Sequence, residues 1–362
     1  MKKSDLKRIP RGLTSNVLLA QFTTFHIGGP ARFFIEVHTE EEIQNAIAYA
    51  RGNDLRLYPL GAGSNLLVPD AGVEGIVLKI SLDDIAFENN NDEMLLIAGA
   101  GTPWEKVVDA ASEQNLFGVE NLAGIPGTIG GAPVQNIGAY GAELSDVFAY
   151  ADCINSSTGV CERVNKNEIT FAYRTSFFKT HREIIVMRVA LRLSKQGVPN
   201  LNYPDLVRAQ AEGTSLNTPA EISQAIRAIR AKKFPAYRQA GLTNTVDGTA
   251  GSFFKNPVIS RELAYSLMER FSGLPVFPVS AEGGSASGRK ISLAWLLDHA
   301  LSLKGFSKGR VRLYKEHPLI IVASNGATAS EVDAFANEIA ERVFDMTGVM
   351  IEREVETFGE QK

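Results

Sequence analysis

Long apolar runs are missing from this 362-residue chain: no stretch of about 18 apolar residues occurs, which is the length a helix needs to cross a bilayer. The basic start, MKKSDLKRIPRGLTSN, is not followed by the apolar segment that a secretion signal carries. A membrane-inserted or exported chain is not expected, and a cytoplasmic one is. An excess of one charge is missing too. Lys and Arg number 37 against 41 Asp and Glu, so neither nucleic acid nor an anionic membrane finds an electrostatic footprint, and neither is expected as a partner.

Cysteine is scarce. Cys153 and Cys161 are the only two, in DCINSSTGVCERV, which reads as two short strands around a Ser-Ser-Thr-Gly turn. They could face each other across that hairpin, but without a secretion signal two reduced thiols are expected. None of the five histidines falls in a metal-ligand spacing such as HExxH, and no Cys/His cluster exists, so no metal is expected. The two tryptophans, Trp104 and Trp295, fall on predicted helices and read as core rather than as cofactor-stacking residues.

What is present is a mixture of strands and helices with clear punctuation. TEEEIQNAIAYAR, residues 39–51, opens with a capping box of Thr39 and Glu42 and continues with helical apolar spacing. RFFIEV before it, and LRLYPL and GIVLKI after it, read as strands, so the first eighty or so residues alternate as a small α/β unit. TPWEKVVDAASEQNL, from Thr102, repeats the pattern, with Thr102 as cap, Pro103 at the first helical position and Glu105 completing the box. EIIVMRVALRL alternates with period two, like a half-buried strand. TPAEISQAIRAIRAKKF, from Thr218, is a third cap-proline-glutamate opening, and the loop residues after Pro235 mark a domain boundary. Helices are predicted over 260–271, 292–300 and 330–346, with the strand LIIVA between the last two.

Two dinucleotide fingerprints fail. Gly61-Ala62-Gly63 and Gly99-Ala100-Gly101 each follow a strand, but Leu66 and Trp104 stand where the third glycine should be. A phosphate loop in GGSASGRK, residues 283–290, fails because Arg289 replaces the lysine. Two loops remain: LGAGSNLLV, residues 60–68, and AGIPGTIGGAPVQNIGAYGAE, residues 123–143. Their backbone amides could converge on a pyrophosphate without a cationic side chain, and small residues admit a flat ligand. Alternatively, their glycines only make tight turns. Ser64, Asn65, Gln135 and Asn136 add polar groups suited to orienting a heterocycle.

With TTFHIGGPARF near the start, YRTSFFK at residues 173–179 and AGSFFKNP at residues 250–257, these loops resemble the UDP-N-acetylenolpyruvoylglucosamine reductase family, in order, from about residue 20 to the C-terminal IEREVETFG. The resemblance implies an α+β chain with a vanillyl-alcohol-oxidase-type FAD-binding fold of two subdomains, at 15–80 and 81–235. A C-terminal α+β substrate lid follows at 246–350, and a strand at 351–362 carries a catalytic glutamate. It implies non-covalent FAD, NADPH as reductant, and a role in peptidoglycan synthesis: UDP-N-acetylglucosamine enolpyruvate becomes UDP-N-acetylmuramate. A monomer is expected. Some relatives in the wider fold attach FAD to a histidine, with His26 the candidate here, but this family does not, and His26 is expected to be a loop side chain.

The resemblance also implies roles. FAD falls to Gly61, Ala62, Gly63, Ser64, Asn65, Leu66, Gly127, Thr128, Gly130, Gly131, Ala132, Gln135, Asn136, Gly138 and Ala139. Arg174 clamps and polarises the substrate carboxylate, which suits a planar guanidinium. Hydride passes from flavin N5 to C3, and Ser252 supplies the proton to C2. Glu354 helps to stabilise the enolic intermediate as an acid, for which burial should raise its pKa; Glu352 and Glu356 share its strand parity. Tyr173, Tyr203, Lys255, Asn256 and Lys304 are substrate contacts, Tyr203 in the nucleotide-closing loop of the longer subtype. Lys232 and Lys233 either join them or are merely solvated, and Lys304 is otherwise a helix-end cation. Two other classes remain open: an FAD oxidase of the same fold and a non-catalytic nucleotide-binding regulator.

Overall fold

Thr39 starts the first helix as its sequence predicts. Its hydroxyl accepts from the Glu42 amide at 3.2 Å, the Glu42 carboxylate accepts from the Thr39 amide at 3.2 Å, and the helix Glu40–Gly52 buries Ile43, Ala46, Ile47 and Ala50. The same box closes at Thr218 and Glu221 ahead of Pro219–Lys233, and at Thr328 and Glu331 ahead of Ala329–Thr347. Thr102 departs from the pattern. Pro103 is the N-cap of Trp104–Glu113, no side-chain cap bond forms, and the Thr102 hydroxyl donates to the Asp84 carbonyl at 3.3 Å. The carboxylate that a box requires is held elsewhere, because Glu105 accepts from the Gly124 amide and pairs with Arg227 Nε at 2.7 Å.

The structure is a computed structural model that describes residues 9–90, 93–235, 247–278 and 288–359. Residues 283–287 of the rejected phosphate loop and the expected lid boundary at 246 lie outside the described residues. The chain divides into two compact units, one of Met1–Val17, Ala31–Ala62 and Val73–Ala231, the other of Leu18–Pro30, Gly63–Gly72 and Lys232–Lys362. In the first unit, the strand Pro30–Val37 from Ala31 onward, the helix Glu40–Gly52 and the strand Leu57–Leu60 form a strand-helix-strand passage, and both strands pair in parallel with Val73–Ile80. A second sheet is antiparallel throughout, in the order Cys161–Asn165, Phe148–Asn155, Ile184–Ser194, Glu93–Gly99, Ile85–Asn90.

One hydrophobic core in this unit reaches from Ile35 to Ile226 and encloses Trp104, 1% exposed, whose indole donates to the Leu122 carbonyl at 2.9 Å. Ile184–Ser194 does not alternate as expected. Within it, Ile185, Val186, Met187, Val189, Ala190, Leu191 and Leu193 are all buried, because a central strand is covered on both faces. In the cysteine hairpin the register pairs Cys153 with Glu162 and Ile154 with Cys161. One residue of offset sends the two thiols to opposite faces, Cys153 buried and Cys161 exposed, and both are free.

The second unit has its own core around Phe25, Phe253, Phe254, Leu296 and Phe335. Two small antiparallel sheets, one of Val258–Ser260, Gly288–Ile291 and Val276–Pro278, the other of Ser307–Lys308, Val311–Leu313 and Ile321–Ala323, accompany the helices Arg261–Arg270 and Ala329–Thr347. The helix predicted over 292–300 starts as Leu293–Trp295 and widens into a π-helical turn, Leu296–Ala300. Trp295 is half-buried against this core and stacks on His299, with ring centroids 4.8 Å apart. The C-terminal pair Glu356–Thr357 runs parallel to Leu66–Leu67, which draws residues 63–72 into this unit.

Candidate active site

In the first unit the glycine-rich stretch is docked by its own main chain. Ile129 N donates to the Thr102 carbonyl at 2.9 Å, Gly130 N to the Ala100 carbonyl at 3.0 Å, and Trp104 N to the Gly127 carbonyl at 3.0 Å. A Cβ on Gly130 would lie 2.5 Å from the Ala100 Cβ, so here glycine answers close backbone approach rather than a ligand. Gly131 differs: it is exposed, and the nearest atom to its Cβ position is the Thr128 carbonyl at 3.6 Å. Thr128 carries a buried hydroxyl with no hydrogen-bond partner among the described residues. An open glycine beside an unpartnered hydroxyl fits a flat polar group such as a dinucleotide better than it fits a sealed turn. Ala132 is buried and its amide closes on the Thr128 carbonyl, while Gln135 is half-buried.

Arg174 sits second in the two-residue turn, with Tyr173 first, between Phe171–Ala172 and Thr175–Ser176. Its φ is +55°, a conformation that costs a bulky side chain energy and clusters at functional sites. From this turn the guanidinium donates to the Gly138 carbonyl at 2.8 Å and to the Asn136 carbonyl at 3.5 Å, and it lies 5.2 Å from the Tyr173 ring centroid. Gly138–Ala139 pairs with Ala142–Glu143, so the structure brings Arg174 onto a short ribbon of the glycine-rich stretch.

Asn136 departs from its expected use. It is 1% exposed, and its side chain donates to Glu143 at 2.8 Å and to the Ala172 carbonyl at 3.4 Å while accepting from the Ser145 amide at 3.0 Å. The side-chain amide therefore braces protein segments instead of presenting itself to a heterocycle. Tyr203 is found at the N-cap of Pro204–Ala211, a helix where the resemblance implies a loop, and its ring meets Tyr140 edge-on at 4.9 Å. Tyr140 is not among the residues expected from the sequence, where its signal is a lone aromatic in a glycine-rich run. Burial, opposed by nearby Arg230, pushes its hydroxyl up to about 12, so it stays neutral. Asn121 ties this corner together, donating at 2.8 Å to both the Tyr140 and the Asn200 carbonyls.

Gly61 and Ala62 belong to the first unit; Gly63, Ser64, Asn65 and Leu66 belong to the second, together with Ser252, Lys255, Asn256, Lys304 and Glu354. There, Phe253 N donates to the Leu319 carbonyl at 2.7 Å and Glu354 N to the Phe253 carbonyl at 2.8 Å, which places Ser252 and Glu354 on neighbouring segments. Both are half-buried, whereas Phe253 and Phe254 are buried. Of the three carboxylates that share strand parity, Glu352 is exposed and paired with Lys255 at 2.9 Å. The Asn256 side chain accepts from Leu293 N at 3.0 Å and so holds the start of a helix, and Lys304 pairs with Asp298 at 3.1 Å. His26, at φ +55°, is half-buried, and that burial lowers its pKa. No helix among the described residues is long and apolar enough to cross a membrane.

Comparisons with known proteins agree with this anatomy. A family model described as an FAD binding domain matches residues 31–165, and one described as the UDP-N-acetylenolpyruvoylglucosamine reductase C-terminal domain matches residues 243–358. Similar proteins include the UDP-N-acetylenolpyruvoylglucosamine reductase of Salmonella typhi, 35% identical over 94% of this chain and 96% of that one, and that of Pseudomonas aeruginosa, 36% identical over 94% and 98%. The crystal structure of UDP-N-acetylenolpyruvylglucosamine reductase from Thermus caldophilus matches with a TM-score of 0.63 at 26% identity, covering 94% of this chain and 97% of that one. The expected α+β class, an FAD-binding fold followed by a C-terminal α+β domain, is borne out. Identity above one third across nearly the whole of both chains, with each half matched by its own model, places this chain in the UDP-N-acetylenolpyruvoylglucosamine reductase family.

Proposed function

We propose that the chain is an FAD-dependent reductase that converts UDP-N-acetylglucosamine enolpyruvate into UDP-N-acetylmuramate for peptidoglycan synthesis, with NADPH as reductant. The observation that carries this reading is Arg174, held at φ +55° in a two-residue turn with its guanidinium against the main chain of the glycine-rich stretch. The flavin, when bound, supplies hydride to C3 of the enolpyruvyl double bond. The protein must then hold the carboxylate, deliver a proton to C2, and keep water out.

Arg174 holds the carboxylate and stabilises the negative charge that builds up on it; a planar guanidinium can engage both oxygens at once. Ser252 protonates C2, a task for which a weak acid suffices because an enolate carbon is strongly basic. Glu354, as a neutral acid, hydrogen-bonds the enolic oxygen. Phe253 and Phe254 exclude water behind the serine. Gly61, Ala62, Gly63, Ser64, Asn65, Leu66, Gly127, Thr128, Gly131, Ala132, Gln135, Gly138 and Ala139 line the flavin, Thr128 through its unpartnered hydroxyl. Gly130 supports that lining from behind, and the Asn136 side chain braces the turn that carries Arg174. Tyr173, Tyr203, Lys255, Asn256 and Lys304 contact the sugar nucleotide, Asn256 while its oxygen holds the Leu293 amide. The protein acts as a cytoplasmic monomer.

The test is steady-state oxidation of NADPH by the purified protein with UDP-N-acetylglucosamine enolpyruvate. Stoichiometric formation of UDP-N-acetylmuramate supports the reading. NADPH oxidation that needs oxygen and ignores the sugar nucleotide would point to an oxidase instead.

A further inference from the structure

Arg174 is held in place by the segment 134–136. The turn that carries it is tied down on both strands by the segment 134–136: the Ser176 hydroxyl donates to the Val134 carbonyl at 2.7 Å, and the Asn136 side chain donates to the Ala172 carbonyl at 3.4 Å. The guanidinium itself closes on the Asn136 and Gly138 carbonyls. Asn136 thus grips the strand just before the turn with its side chain and receives the arginine with its main chain. Its remaining side-chain bonds, to the Glu143 carboxylate at 2.8 Å and from the Ser145 amide at 3.0 Å, fix the asparagine in turn.

The residue types suit this arrangement. Asn136 has φ +48°, a region that asparagine tolerates better than most residues. The two amide protons serve two acceptors, Glu143 and Ala172, which aspartate could not do. Glutamine would carry the amide one methylene too far. The packing leaves no slack, since a Cβ on Gly138 would lie 3.0 Å from Glu143 Cγ and 3.1 Å from Arg174 Nη1.

We infer that Asn136 and Glu143 form a positioning pair for Arg174, fixing where the guanidinium meets the substrate carboxylate; this rests on the reading of Arg174 as the carboxylate clamp. A misplacement of about 1 Å in such a group can cost about 100-fold in rate. The pair therefore acts on the half-reaction that uses the carboxylate and not on the one that reduces the flavin.

The experiment measures each half-reaction of flavin-loaded variants by rapid mixing. In Asn136→Asp one oxygen still accepts from the Ser145 amide, but the other meets the Glu143 carboxylate with no proton to donate. Flavin reoxidation by the sugar nucleotide should slow about 10- to 100-fold relative to flavin reduction by NADPH, and the KM for the sugar nucleotide should rise. Adding Glu143→Gln returns a donor to the pair, so the double variant should recover most of the loss. Glu143→Ala, which leaves Asn136 in place without its acceptor, should unbalance the half-reactions in the same direction and serves as the probe if Asn136→Asp does not fold. The inference is overturned if the folded variants slow both half-reactions equally, if they match the parent protein, or if the double variant is no better than Asn136→Asp. Arg174→Ala separates the two claims. Normal reoxidation in that variant would remove the clamp itself, whereas slow reoxidation beside normal rates in the Asn136 and Glu143 variants would remove only the positioning pair.

Discussion

The side-chain amide of Asn65 donates to the main-chain carbonyl of Glu354 at 3.1 Å, across 289 positions of sequence, and the Glu356 amide returns to the Asn65 carbonyl at 3.1 Å. A loop assigned to the flavin and the segment that carries the assigned acid, just before the strand Glu356–Thr357, are therefore one hydrogen-bonded piece of the second unit. Asn65→Asp removes the donor and turns a carboxylate toward a carbonyl. The expected cost is about 1 kcal/mol, read as a Tm lower by about 2–4 °C, together with slower flavin reoxidation by the sugar nucleotide. Unchanged melting and unchanged reoxidation would make the contact incidental.

Ser252→Ala separates the two half-reactions. Flavin reduction by NADPH does not use the hydroxyl, while protonation of C2 does, and loss of a positioned acid costs about 100- to 10,000-fold. Rapid-mixing traces should therefore show normal bleaching and a reoxidation slowed by that factor. Equal slowing of both phases would remove the proton-donor role.

Adjacent glycines give opposite expectations. A Cβ on Gly131 meets no protein atom closer than 3.6 Å, so Gly131→Val should fold and melt like the parent but purify with little flavin. Gly130→Ala drives a methyl into Ala100, so it should lower Tm whether or not flavin is added. A normal flavin content in folded Gly131→Val would refute the placement of the cofactor against that residue.

These outcomes separate what could be read in the sequence from what could not. The capping boxes at Thr39 and Thr218 were legible because every group they need lies within four residues. The box expected at Thr102 was not, since Arg227 and Gly124, more than fifteen residues away, compete for Glu105. Alternation in EIIVMRVALRL gave the strand correctly but missed its central place in the sheet, which only the neighbours on both sides determine. The motifs named Arg174, yet its left-handed backbone and the Asn136 brace depend on a hairpin docking against a loop 36 residues upstream. Tyr140 is illegible for the same reason, because its partner Tyr203 caps a helix 63 residues downstream.

Glu120 provides a pH signature. Burial, partly opposed by the Gly118 amide, raises its pKa above the ordinary 4.5. Between 4.5 and its folded value, the folded chain binds more protons than the unfolded one, so this residue makes stability fall as pH rises through that window and stay lower above it. Glu120→Gln keeps an acceptor for Gly118 and removes the titration. The variant should be at least as stable as the parent at neutral pH, and its denaturant midpoint should vary less above pH 4.5. A pH profile identical to the parent's would contradict the assignment.

The most direct test of the account is the visible spectrum of the purified protein under anaerobic conditions, recorded alone, after NADPH, and after UDP-N-acetylglucosamine enolpyruvate. The account predicts a flavin band that bleaches with NADPH and returns when the sugar nucleotide is added. A colourless protein that takes up no FAD would contradict it, and so would a bleached flavin that only oxygen restores.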